Sequence, residues 1–299
     1  MPHAAPPLRV TTRAADVLRT FVRRQIWRRL FAPRQRALGR FFLDPSDHIG
    51  IERLVAGDRY EAHLLQLLAV VIDRLGLGAG TALDVGANIG NHAQFFASRF
   101  RFVYCVEPGK IAGHVLTANL LATGRNNFRV IHCALGDRVA RGRLAEVRAG
   151  NLGSSTVDTI DAVGDFDIVP GDQLAADIEL ADLQLVKVDV EGLEPQVMTG
   201  LRATLGRQQP LLCVEILEAE RLTELRGILE PLGYRHWLAP SVRAVTGTAV
   251  GRLRALLGGR EYALAPVAAT FPRGGYDMVF CLTDAHWARL ENPPAARVS

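Results

Sequence analysis

The stretch 81–92, Thr-Ala-Leu-Asp-Val-Gly-Ala-Asn-Ile-Gly-Asn-His, constrains this chain more than any other. It reads as a short apolar strand, a glycine turn and a helix that starts near Asn91. A strand that ends in glycines and feeds a helix opens an α/β nucleotide-binding sheet. Gly86 and Gly90 permit a tight turn and a close approach of ligand to backbone. The first turn of the helix adds N–H groups with no partner inside the helix.

The turn departs from the dinucleotide fingerprint Gly-x-Gly-x-x-Gly, because Asp84 stands where the first glycine belongs. A carboxylate there repels a pyrophosphate. It suits a ligand with a positive end and no phosphate, and S-adenosylmethionine, with its ammonium, sulfonium and ribose, is such a ligand. A second apolar strand, 102–107, ends in Glu107, twenty-three positions after Asp84. An acid at the end of a second strand is where a ribose diol is gripped. The plainer alternative is that Asp84 and Glu107 only cap turns.

With 299 residues, 48% hydrophobic and 22% charged, the chain has material for one large globular domain with appendages. No apolar run approaches the ~20 residues of a membrane span. The longest, 64–72, is short and interrupted by Gln66. The N-terminus shows no apolar core with a small-residue cleavage site, so no secretory signal is expected. None of the four cysteines forms a C-x-x-C pair, and zinc is not expected. Each falls in a predicted strand, as a small buried residue of a reducing, cytoplasmic compartment would.

The net charge of +4 comes from one region: between Arg9 and Arg40 there are many arginines and only one acid, Asp16. Residues 12–30 carry Val17, Leu18, Phe21, Val22, Ile26 and Leu30 at helical spacing, with arginines between them. Two readings stand. The helix lies on an anionic surface, such as the inner face of a membrane, or it docks on its own domain or on a second subunit of a homo-oligomer. No basic patch with interleaved aromatics appears elsewhere, so nucleic acid is not an expected partner.

The organisation expected is a basic helical arm over 1–56, an α/β domain over 57–285 and a loose tail over 286–299. Asp58 and Glu61 suggest a capping box ahead of a helix over 63–75. Strands over 81–85, 102–107, 128–133, 183–190 and 210–216 alternate with helices over 91–99, 110–122, 193–205 and 218–229. That alternation predicts parallel strands with right-handed crossovers. Residues 137–170 read as an inserted hairpin or lid, and 174–180 as a short helix. Strands 234–238 and 276–282 close the sheet, with 239–275 looping between them.

Ligands of such sheets bind at the carboxyl ends of the strands. Those positions make an acidic rim: Asp84, Glu107, Asp137, Asp189, Glu191 and Glu215. Lys187 is unusual, since a strand buried on both faces excludes a lysine unless it is paired. Two-residue alternation puts it on one face with Asp189. It either forms a structural ion pair there or holds a substrate oxygen.

The strings Leu83-Asp84-Val85-Gly86-Ala87-Asn88-Ile89-Gly90-Asn91, Val106-Glu107-Pro108, Ala134-Leu135-Gly136-Asp137 and 186–194, Val-Lys-Val-Asp-Val-Glu-Gly-Leu-Glu, resemble the FkbM family of S-adenosylmethionine-dependent methyltransferases. The segment Gly57-Asp58-Arg59-Tyr60-Glu61 also looks like that family. The resemblance covers 57–215, about half the chain, and its distinctive part is Lys-x-Asp-x-Glu-Gly-x-Glu. It implies a Rossmann-like seven-stranded methyltransferase sheet with helices on both faces, here carrying the N-terminal helical arm. It implies O-methylation of a hydroxyl on a sugar, glycan or secondary metabolite. Under it Asp84, Gly86, Asn88, Gly90 and Asn91 would hold the methionine portion and Glu107 the ribose, with Ala134 and Asp137 beside the adenine.

A hydroxyl is a poor nucleophile, so a base beside the methyl group is expected. Asp189 comes first and Glu191 next, with Lys187 beside them and His92 and Glu215 behind. Glu191 and Glu194 could instead serve the helix that starts at Pro195. Asp189, Glu191 and Glu215 could also gather a divalent cation, although spacing alone cannot fix coordination. A non-catalytic S-adenosylmethionine-binding or membrane-docking module on the same fold is the competing reading. Asp84 argues against a nicotinamide-dependent dehydrogenase.

Overall fold

The computed structural model describes Arg29 and residues 60–146, 155–160, 164–243, 261–268 and 270–291. The basic helix expected over 12–30, Asp58 and the tail from 292 lie outside these residues. Among the described residues no helix is long and apolar enough to cross a membrane.

Helix α1 (Ala62–Leu75) buries Leu64, Leu65, Leu68, Val71, Ile72 and Leu75, an apolar stripe at helical spacing. Gly76 closes it in the left-handed conformation that only glycine adopts freely. Its N-cap is Glu61, with φ +54° and no side-chain capping bond, while the Asp58 of the expected box lies outside the described residues. The Glu61 carboxylate points instead toward His92.

Strands β1 (Thr81–Val85), β2 (Phe102–Val106) and β3 (Phe128–Ile131) then run parallel, joined by α2 (Asn91–Ala97) and α3 (Lys110–Leu121). The chain leaves this sheet to build a second one from β4 (Ala134–Gly136), β5 (Ala140–Glu146), β6 (Ser155–Ile160) and β7 (Phe166–Pro170), in the order β4-β7-β5-β6. The expected hairpin is thus β5 paired with β6 inside a four-stranded sheet.

After α4 (Gly171–Asp177) the chain re-enters the main sheet as β8 (Leu183–Val188), parallel to β1. A single helix was expected next. Instead α5 (Glu194–Gly200) and α6 (Arg202–Gln208) are split at Leu201. Gly200 lies on the Gly136 carbonyl so closely that no Cβ would fit, and glycine is itself a poor helix residue.

Strand β9 (Leu211–Ile216), α7 (Ala219–Leu229), β10 (Tyr234–Arg243), β11 (Glu261–Pro266), β12 (Tyr276–Thr283) and α8 (Asp284–Glu291) complete the chain. Among the described residues the main sheet has eight strands, ordered β11-β10-β12-β9-β8-β1-β2-β3, where seven were expected. The eighth is β11, inside the stretch 239–275 read as a loop. There it pairs antiparallel with the end of β10, and Pro240 faces Leu264. Strand β12 pairs with β10 only as far as Leu238, so Pro240 lies where one side is already an edge, and edges tolerate proline.

Two cores flank this sheet. One joins Ala82, Val103, Leu185 and Phe280 to α1, α2 and α3. The other joins Leu83, Val186, Val214 and Val279 to α4 through α7. Alternate residues of each buried strand supply the two faces.

Candidate functional site

The strand order reverses between β1 and β8, the place where an open α/β sheet parts its loops and leaves a crevice. A cavity of about 580 Å³ opens there. Its floor is the ends of β1 and β2 with their following turns: Val85, Gly86, Asn88, Val106, Glu107 and Gly109. One wall is Asp189, Val190, Glu191 and Leu193 after β8. The opposite wall comes from the second sheet, as Ala134, Leu135, Leu144, Asp165 and Phe166, with Ile111 and Ala112 of α3. The volume lies in the ordinary range for a cofactor site.

Glu107 is buried, and each carboxylate oxygen accepts one backbone N–H: Oε2 from Asn88 at 2.8 Å and Oε1 from Gly109 at 2.8 Å. Burial raises its pKa, and those two bonds act against the rise. A carboxylate accepts about four hydrogen bonds in all, so lone pairs remain for a ligand. Asn88 sits at φ +47°, and its buried Oδ1 has no hydrogen-bond partner. Gly86 has φ +74°, and a Cβ there would fall on the Asp189 carbonyl oxygen. Glycine is therefore required by both conformation and space.

The register sets Cys105, Asp84, Lys187 and Cys213 side by side across β2, β1, β8 and β9. Lys187 Nζ lies 3.1 Å from Asp189 Oδ2 and 3.5 Å from Asp84 Oδ1, and donates to the Gly86 carbonyl at 3.2 Å. Burial opposes the charge on Lys187, but Asp189 and Asp84 outweigh it and hold the pKa above the usual lysine range. Burial likewise opposes the charge on Asp189, and Lys187 prevails, leaving that carboxyl below its usual value. Asp84 is fully enclosed, and its desolvation raises its pKa despite Lys187.

A loop with two left-handed residues, Glu191 at φ +51° and Gly192 at φ +114°, follows Asp189. Glu194 holds it: Oε1 accepts from Val190 N at 3.3 Å and from Gly192 N at 2.9 Å. Arg221 of α7 closes on the same turn by donating to the Gly192 carbonyl.

Behind Asp189, on the α1 and α2 side, is a small chamber lined by Glu61, His92, Lys187, Val188, Asp189, Cys213, Val214, Glu215, Asp277 and Met278. Among the described residues Asp189 alone lines both spaces. Burial, then the charge of Asp189, pushes Glu215 up to about 10. Burial, then Lys187, pulls His92 down to about 3. Near neutral pH Glu215 therefore carries a proton and the imidazole is uncharged.

Of the sequence-derived candidates, Gly86, Asn88, Glu107, Ala134, Asp189 and Glu191 line the large cavity, and Lys187 lines the small chamber. Four fall elsewhere. Asp84 lies beneath the floor as a partner of Lys187, so the carboxylates facing a ligand are Glu107, Asp165, Asp189 and Glu191. Gly90 packs against Leu116. Asn91 donates its side-chain amide to the Tyr60 carbonyl at 3.0 Å. Asp137 is exposed beside Arg138, one residue past β4. Leu144, Asp165 and Phe166 were missed, because nothing in 137–170 signals which residues return to the crevice. Lys110 and Ile111, just after Glu107-Pro108, could have been found from their position. Among the described residues no group of three or more His, Cys, Asp or Glu side chains could hold a metal ion.

Comparison with curated proteins gives no match. Among solved structures, the chain is similar to the methyltransferase FkbM from Methylobacillus flagellatus KT, at 17% identity and a TM-score of 0.43. That match covers 89% of this chain and 60% of the other, so this chain spans less than two thirds of that protein's length. A precorrin 8w decarboxylase from Methanobacterium thermoautotrophicum matches at 15% identity and a TM-score of 0.45, covering 81% of this chain and 96% of the other. A methyltransferase from Streptococcus mutans, in complex with S-adenosylhomocysteine, matches at 10% identity and a TM-score of 0.38, covering 72% and 97%. The family model described as the methyltransferase FkbM domain matches residues 84–236, just over half of the 299. The chain belongs to the FkbM methyltransferase family.

Proposed function

We propose that the protein transfers a methyl group from S-adenosylmethionine to a hydroxyl of a sugar, glycan or secondary metabolite. The observation that carries this reading is the large cavity at the switch point, whose acids among the described residues are Glu107, Asp165, Asp189 and Glu191 and whose one cation among them is Lys110. That balance repels phosphates and favours a cationic ligand. The residues fit the group. Asn88 Oδ1 is a buried acceptor awaiting a donor, and Glu107 has lone pairs left for a ribose diol. The apolar wall of Val106, Ile111, Leu135, Leu144 and Phe166 suits a planar base. Asp189 and Glu191 suit the positive end.

Bound there, S-adenosylmethionine would supply a methyl group on a positively charged sulfur. The protein's part is to align an acceptor oxygen with that group and to exclude water, and alignment alone lowers such a barrier substantially. Four buried free cysteines support a reducing, cytoplasmic setting. Titration calorimetry tests the reading: S-adenosylmethionine and S-adenosylhomocysteine should bind in the micromolar range and NADH should not. No binding of either sulfur compound at millimolar concentration overturns it.

A further inference from the structure

The chamber behind Asp189 measures about 10 Å³, close to the room one water oxygen takes. His92 reaches it from α2. Its Nε2 is buried with no hydrogen-bond partner, and the residue is only 7% exposed. A buried polar atom left so carries an uncompensated desolvation cost, which an oxygen in the chamber removes. Glu61 Oε2 lies 3.5 Å from the same nitrogen. Asp189 lines both the chamber and the large cavity.

Resting on the methyltransferase reading above, we propose that this chamber seats the acceptor's reacting hydroxyl and that His92 Nε2 receives its proton. A single oxygen fits and a larger group does not, so the rest of the acceptor lies outside. The chamber's carboxylates disfavour an anion. Asp189 is the nearer carboxylate to the large cavity, but it is already engaged by Lys187 and by the protonated Glu215. Glu215 Oε2 is unpartnered too, but burial and Asp189 keep that carboxyl protonated, so the neutral His92 Nε2 is the base of the two. The groups facing it are Glu61, Lys187 and Asp189. As the imidazole takes the proton, Glu61 becomes its counter-ion, an attraction that grows only as the reaction proceeds. The balance is complete: the hydroxyl oxygen gains the methyl carbon, the sulfur keeps the electron pair of the bond it loses, and the proton passes to Nε2.

The test uses the full chain with S-adenosylhomocysteine. A crystal structure of the complex should show a water oxygen within hydrogen-bond distance of Nε2. Nitrogen NMR of histidine-labelled protein should show His92 neutral between pH 5 and 8 with Nε2 bare. His92→Asn should bind S-adenosylhomocysteine within about twofold of the parent. With labelled S-adenosylmethionine and a small-molecule extract as acceptor pool, it should incorporate about a hundredfold less label. Its residual rate should climb with pH as hydroxide takes over. Should His92→Asn misfold, Glu61→Gln replaces it, with incorporation down about tenfold. A dry chamber, a metal ion in it, a proton on Nε2 directed at Glu61, or unchanged incorporation overturns the proposal. Failure of the parent to bind S-adenosylhomocysteine sinks the methyltransferase reading instead.

Discussion

The ammonium of Lys187 and the carboxylate of Asp189 stand 3.1 Å apart, the lysine near the end of a largely buried strand and the acid lining two cavities. Asp84 approaches the same ammonium from β1. Lys187→Met removes the only cation between two acids. It should lower stability by about 3–5 kcal/mol, as breaking a buried pair does. A shift of the urea midpoint measures this. Adding Asp84→Asn should recover part of the loss, because the stranded charge is then gone.

Glu107 is held by two backbone N–H groups, so its position is set before any ligand arrives. In Glu107→Gln one oxygen becomes an NH₂ that faces a backbone N–H, and the negative charge disappears. S-adenosylhomocysteine affinity should fall about ten- to hundredfold, the range of a charge-assisted hydrogen bond. Calorimetry of parent and variant reads it directly.

Much of this fold was legible because β1, β2, β8 and β9 are mostly apolar runs with glycine or acid at or near their ends, and their spacing leaves room for helices between them. What escaped notice depended on tertiary placement. Strand β11 and the part of β10 beyond Leu238 fall in the stretch read as a loop, and their ladder is with each other. The cavity wall from β5 and β7 gives no signal, since Leu144 and Phe166 look like any alternating apolar residues. Asp84 was legible as an acid in the right turn but not as a buried one. Whether a strand-end carboxylate faces ligand or lysine depends on the neighbouring strand's register.

Two groups give stability a pH profile of opposite slopes. The folded His92 stays neutral down to about 3, while the unfolded imidazole takes a proton below about 6.5. Stability from this group is therefore lost as pH falls from 6.5 toward 3. The folded Glu215 keeps its proton up to about 10, while the unfolded carboxyl releases it above about 4.5. Stability from that group is lost as pH rises through 4.5 toward 10. The two slopes oppose each other between 4.5 and 6.5, and His286, pulled down to about 4 by burial, adds to the loss on the acid side. Thermal denaturation of parent and variants across this range reads both slopes. Glu215→Gln should flatten the alkaline side and His92→Asn the acid side.

Gly86→Ala puts a methyl group onto the Asp189 carbonyl at a φ of +74°. The two strands must part locally to accept it. Destabilisation of several kcal/mol is expected from backbone strain and collision together. Loss of S-adenosylhomocysteine binding should accompany it, and a variant with unchanged melting temperature would contradict the geometry.

Asn91 lies in the glycine turn, yet its amide reaches the Tyr60 carbonyl rather than the cavity. The segment leading into α1 is thereby stitched to the loop that shapes the crevice floor. Tyr60 also packs against the cluster of Ile89 and Ala112, so a displacement at Tyr60 reaches that loop through the hydrogen bond and this packing together. Cutting the stitch would loosen the doorway before it emptied the room.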